Sequence, residues 1–204
     1  MKITAENLGK RFNKDWLFKN LNLSFQPNKS YAITGPNGSG KSTLLQIIAG
    51  IVPSSTGTIS YSYKDHIVSP DNLYQHLSIA APYQELIEEF TLRELLEFHS
   101  KFKKIEPLDI NAFTEKLQLQ QAFNREIRHF SSGMKQRVKL GLAMFSDSPL
   151  LLLDEPTVNL DTQGIDWYKD HIQTCLKNRM VIICSNQRYE YDFCDEVFGL
   201  MGLG

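Results

Sequence analysis

A chain of 204 residues is long enough to bury a core of its own, and it fits one domain rather than two catalytic ones. Its 22 Lys and Arg against 23 Asp and Glu leave a net charge of −1, which excludes a global field drawing it to nucleic acid or to an anionic membrane. Cys175, Cys184 and Cys194 are an odd number without metal-ligand spacing, so neither a disulfide nor a zinc site is expected, and reduced thiols point to a cytosolic compartment.

In chain order, the segment around Ile3 and the alternation of Leu21, Leu23 and Phe25 with polar neighbours predict half-buried antiparallel strands. A short apolar strand follows at 31–34. It runs into Gly35, Pro36, Asn37, Gly38, Ser39, Gly40, Lys41, Ser42 and Thr43, which fit G-x-x-x-x-G-K-[ST] at every constrained position. Leu44, Leu45, Ile47 and Ile48 then mark one face of a helix closed by Gly50. Strand, loop and helix in this order form a phosphate cradle. The glycines let backbone N–H groups turn inward, the helix N-terminus favours negative charge, and Lys41 brings a compact cation to the β- and γ-phosphates. The Ser42 hydroxyl is placed to ligate magnesium.

Another alternation, Ile59, Tyr61 and Tyr63, adds to the antiparallel portion, and a short strand is expected at 77–81. The period then changes. Thr91 and Glu94 form a capping box ahead of Leu92, Leu95, Leu96 and His99, and helical stretches are expected to run to about residue 124. A further helix opens at Ser131 and Gly133 and continues through Val138 and Leu142. The α/β rhythm returns with strand 150–153, a helix carrying Ile165, Tyr168, Ile172 and Leu176 on one face, strand 181–184 and a last strand at 197–201. The fold class is α/β, with an antiparallel β portion and a helical subdomain at about 85–147 inserted in a single domain, 1–204. No apolar run approaches the roughly 20 residues needed to cross a bilayer, and the N-terminus has no signal-peptide core.

The apolar run 150–153 ends in Asp154 and Glu155, as a buried parallel strand does when it delivers acids to the ligand edge of an α/β sheet. Asp154 is suited to hold the magnesium ion, and Glu155 to take the proton of the water that attacks the γ-phosphate.

With these residues in order, the chain resembles the ATP-binding subunit of ABC transporters over essentially its whole length. The resemblance rests most on Phe130, Ser131, Ser132, Gly133 and Met134, which stand where the family has L-S-G-G-Q, followed by Lys135, Gln136 and Arg137. Phe130, Ser132 and Met134 depart from that pattern. The resemblance implies the P-loop ABC-ATPase fold and a magnesium-dependent ATPase with ATP as ligand. It implies a head-to-tail dimer in which Ser131, Ser132 and Gly133 close over the nucleotide of the other subunit. Gln84 stands where the family has a loop glutamine that reaches magnesium and the attacking water, and Asp161 where an acid crosses the dimer interface. Phe12 falls where an aromatic ring stacks on adenine, with Trp16 as the alternative. After strand 181–184 the family carries a switch histidine, and this chain reads Ser185, Asn186, Gln187. Asn186 can still donate to a γ-phosphate oxygen, but it has no proton to shuttle.

The partners so implied are a second ATP-binding subunit and a separate transmembrane permease, with no nucleic acid, and the place is the cytoplasmic face of the inner membrane. Two other readings remain: a soluble ABC-type ATPase, and a nucleotide-gated clamp with little turnover.

Overall fold

The computed structural model describes residues 1–201; residues 202–204, the end of the expected 1–204 domain, lie outside the described residues. The chain divides into two compact units. The first comprises Met1–Ile79, Ser148–Glu155 and the stretch from Leu176 on, and the second Ala80–Asp147 with Pro156–Cys175. The helical unit therefore draws on a chain segment beyond 85–147.

The first unit holds two sheets. β1 (Lys2–Phe12) pairs antiparallel with β2 (Asp15–Phe25) on one side and with β4 (Thr56–Tyr63) on the other, and β5 (His66–Ile67) extends the sheet beyond β4. The expected alternation on β2 is present, but the strand starts at Asp15, because β1 and β2 form one long hairpin. Gly57 lies opposite a register shift in β1, where any Cβ would come within 2.4 Å of the Glu6 and Asn7 carbonyls.

The second sheet runs in the order β6 (Leu77–Ala80), β7 (Leu150–Asp154), β8 (Met180–Cys184), β3 (Ser30–Thr34), β9 (Glu196–Gly199). The pairings of β7 with β8, β8 with β3 and β3 with β9 are all parallel. β7 and β8 are buried at every position, which is why their sequences show no alternation. Leu150, Leu152, Met180 and Ile182 share a core with Ile3, Leu8, Phe25, Tyr31 and the apolar face of α1 (Lys41–Ile48). β9 covers only part of the expected 197–201 strand: Phe198 packs on Tyr31 at 5.8 Å, while Val197 is 56% exposed at the sheet edge.

The second unit is helical: α2 (Leu92–Ser100), α3 (Ile110–Lys116), α4 (Ser132–Met144) and α5 (Thr162–Cys175). The capping box of α2 forms as expected. Glu94 N donates to Thr91 Oγ1 at 3.2 Å, and Thr91 N to the Glu94 carboxylate at 2.8 Å. Helix is less continuous toward residue 124 than the sequence suggests: α3 is seven residues long and a single 3-10 turn follows at Gln120–Ala122. The buried face of α5 keeps the expected Tyr168 and Ile172 but departs from expectation at its two ends. Trp167 and Cys175 join Tyr168 and Ile172 inside, while Ile165 is half-buried and Leu176 lies past the helix end. Trp167 is drawn in because its Nε1 donates to the Lys116 carbonyl at 2.9 Å and its ring meets Phe145 edge-on at 6.2 Å.

Candidate functional site: a phosphate loop with two carboxylates

The loop between β3 and α1 is built by local constraints. Gly38 has φ +82° with open space where a Cβ would lie, so conformation rather than crowding calls for glycine there. At Gly35 the reason is contact: a Cβ would meet the Leu200 carbonyl at 2.2 Å. Lys41, the first residue of α1, is buried, and its Nζ donates to the carbonyls of Gly35 at 2.8 Å and Pro36 at 3.2 Å. The ammonium thus lies inside the loop that it would share with phosphate oxygens. Ser39 Oγ is buried there without a hydrogen-bond partner.

Asp154 ends β7 with 1% of its surface exposed. Its carboxylate accepts the Ser42 hydroxyl, and burial pushes its pKa up from the ordinary 3.8 to about 6, against the pull of Ser42 and Lys41. Oδ1 has no hydrogen-bond partner at all. A buried carboxylate oxygen left unpaired beside a hydroxyl is a hard-oxygen donor set that fits magnesium. Among the described residues no cluster of three or more His, Cys, Asp and Glu could hold a metal, so the other ligands would have to be water and phosphate.

Glu155 follows with a φ of +44° of its own, its N–H donating to the Cys184 carbonyl at 2.8 Å. Together with Phe12, Leu17, Asn37, Gly38, Gly40, Lys41, Ser42 and Thr43 it lines a cleft of about 420 Å³. Phe12, 53% exposed, is the aromatic ring in that lining. Trp16 is engaged elsewhere on the hairpin, between Arg11 at 5.5 Å and Lys19 at 4.6 Å. Asn186 reaches the same loop: its Nδ2 donates to Asn37 Oδ1 at 3.0 Å. Lys41, Ser42, Asp154, Glu155, Phe12 and Asn186 are therefore brought together in the first unit.

The remaining sequence-derived residues belong to the second unit. Gln84 is folded onto its own loop, its Oε1 accepting the Ala81 N–H at 3.0 Å, so its side-chain oxygen is occupied by backbone. Ser131 is the N-cap of α4 and accepts the Met134 N–H at 3.2 Å, and Ser132 is the first residue of that helix. Gly133 packs so that a Cβ would sit 3.0 Å from the Asn159 carbonyl. Asp161 caps α5, accepting the Gly164 N–H at 2.8 Å.

Leu17 and Glu190 escaped the sequence reading, and Gln136 was given no role in it. Leu17 lines the cleft, and no pattern marked it apart from its strand neighbours. Gln136, noted in the sequence only as part of the run after Met134, is buried and donates to the Pro156 carbonyl at 2.8 Å, fixing the chain just after Glu155. Glu190 is buried and accepts the Ser185 hydroxyl, a contact between loop residues that periodicity does not report.

A family model described as ABC transporter matches residues 18–158. The chain belongs to the ABC transporter family. The match takes in the phosphate loop, Gln84, Ser131 to Gly133, Asp154 and Glu155, and ends before Asp161 and Asn186. Among curated relatives, the linearmycin resistance ATP-binding protein LnrL of Bacillus subtilis is 29% identical over 99% of this chain and 67% of its own length. The lantibiotic transport ATP-binding protein SrtF of Streptococcus pyogenes is 30% identical over 90% of this chain and 79% of its own. The cytochrome c biogenesis ATP-binding export protein CcmA of Brucella abortus is 33% identical over 79% and 74%. The fold matches that of the dimeric bacterial ABC transporter cassette MJ0796, with a TM-score of 0.83, 23% identity, and coverage of 98% of this chain and 94% of that one. The antiparallel β portion, the parallel sheet behind the phosphate loop and the helical insert are those of an ABC ATPase.

Proposed function

We propose that this chain binds and hydrolyses ATP with magnesium and drives a membrane transporter, two nucleotide-binding subunits closing head to tail around the nucleotide. The observation that carries the reading is the unpaired, buried Asp154 Oδ1 beside Ser42, in the same cleft as Lys41 and Glu155. Loop N–H groups and Lys41 take the β- and γ-phosphates, Lys41 exchanging its carbonyl partners for phosphate oxygens. Ser42 and Asp154 hold the magnesium ion, whose charge offsets that of the phosphates. Phe12 offers its ring to the base, and Glu155 accepts the proton of the attacking water. Gln84 would have to leave its Ala81 contact to approach the metal. Ser131, Ser132 and Gly133 meet the γ-phosphate of the other subunit, and Asp161 lies toward the dimer interface. The three relatives are named for linearmycin resistance, lantibiotic transport and cytochrome c biogenesis export, which supports coupling to a separate transmembrane partner at the cytoplasmic face. Among the described residues no helix is long and apolar enough to cross a membrane, so the span would belong to that partner.

A nucleotide-gated clamp with little turnover is the second reading. It is favoured by Asn186, which replaces the histidine of the family pattern and has its amide on the phosphate loop. Lys41→Ala tests what both readings share. Removing the ammonium should abolish productive ATP binding, and calorimetry with magnesium that returns wild-type affinity would rule out the site. Steady-state phosphate release by the wild type then separates enzyme from clamp.

A further inference from the structure

Cys184, the last residue of β8, pairs with Ile33 of β3, so the turn after β8 emerges beside the phosphate loop. Ser185 extends the alignment by donating its N–H to the Ile33 carbonyl at 3.2 Å. Its buried hydroxyl donates to the carboxylate of Glu190 and accepts the Gln187 N–H at 2.8 Å. The turn is thereby held on three sides, and Asn186 projects from it. Both ends of its amide are used on the loop: Nδ2 donates to Asn37 Oδ1 at 3.0 Å, and Oδ1 accepts the Gly35 N–H at 3.4 Å. Gly35 is itself pressed against the Leu200 carbonyl.

We propose that Asn186 is a positioning residue that ties the phosphate loop, through Asn37 and Gly35, into the conformation that receives the nucleotide. It acts on the loop rather than on the γ-phosphate. The proposal rests on the nucleotide-binding reading of that loop. A Gly-rich loop that is already tied has less left to order when ATP arrives, so the effect falls on binding and not on the chemical step.

The test is a double-mutant cycle of Asn37→Ala and Asn186→Ala, both exposed positions, read by calorimetry and steady-state kinetics with Mg-ATP. Asn37→Ala, which removes one hydrogen bond, should raise Kd and KM about fivefold, the ratio that loss of one net hydrogen bond gives, and Asn186→Ala, which removes two, at least as much, with kcat unchanged in both. The double variant should be no worse than Asn186→Ala alone, since the Asn37 contact is already lost there. Amide exchange at Gly35 should accelerate in Asn186→Ala while the melting temperature stays put. A fall in kcat at constant KM for Asn186→Ala would instead place Asn186 on the γ-phosphate and overturn the proposal, as would additive losses in the cycle. A wild type that binds no ATP sinks the nucleotide reading along with it, whereas wild-type binding with additive singles sinks this proposal alone.

Discussion

Asp154 sits in an environment that works against the charge of its carboxylate. Its pKa is raised from 3.8 to about 6 by burial, so the folded state holds the proton more tightly than the unfolded chain does. The associated stability is fully present below pH 3.8 and is lost as pH rises through about 6. A shift of this size corresponds to about 3 kcal/mol at neutral pH, in the absence of metal. Asp154→Asn removes the charge and keeps the shape. The nucleotide-free variant should therefore be more stable than the wild type at pH 7.5 by about 1–3 kcal/mol, with the difference gone by about pH 4. It should also lose magnesium-dependent ATP binding. Urea unfolding at the two pH values is the check, and an equal gap at both would mean that the buried charge is not its cause. The carboxylate was legible in the sequence, since an apolar run ending in Asp and Glu marks a ligand edge. Its burial and its unpaired oxygen depended on what packs over β7.

Helix α4 shows at the scale of an element how one residue serves structure and chemistry together. Ser131 caps it through the Met134 N–H, so Ser131→Ala should cost about 1 kcal/mol of stability. Loss of a cap alone predicts a melting point lower by about 2–4 °C and little change in turnover. If the hydroxyl also meets the nucleotide of a second subunit, turnover should fall by about tenfold or more beyond that. A variant that melts lower yet hydrolyses normally would reduce Ser131 to a cap. The start of α4 was readable because capping is local. The inner face of α5 was legible only in part: Tyr168 and Ile172 lie inside as the apolar pattern has them, but Trp167 is buried by a hydrogen bond to Lys116, 51 residues earlier in the chain, which no local pattern reports.

For the molecule as a whole, the prediction concerns association. Glu155→Gln keeps the side chain's shape in the cleft and removes the proton acceptor, so ATP should bind and turnover should fall by on the order of a hundredfold. Unhydrolysed ATP should then hold two subunits together. Sizing chromatography of the variant with Mg-ATP is expected to give a dimer where ADP gives a monomer. A variant that remains monomeric at high concentration, or hydrolyses at the wild-type rate, would count against Glu155 as the acceptor. A net charge of −1 leaves little long-range repulsion between copies, so closure depends on contacts at the nucleotide.

The sequence by itself determined the phosphate loop, the acidic strand end and the helix caps, because each is specified by residues within a few positions of one another and by the backbone conformations they permit. It also carried the α/β class, through the unbroken apolar runs of β7 and β8. Only the tertiary structure decided which distant segments share the cleft. The choice of Phe12 over Trp16 for its lining follows from the twist and register of the β1–β2 hairpin. The bond between Asn186 and Asn37 joins residues 149 positions apart, and it exists because β8 lies next to β3 in the sheet. Strand order is fixed by burial over the whole core, and no local pattern encodes it.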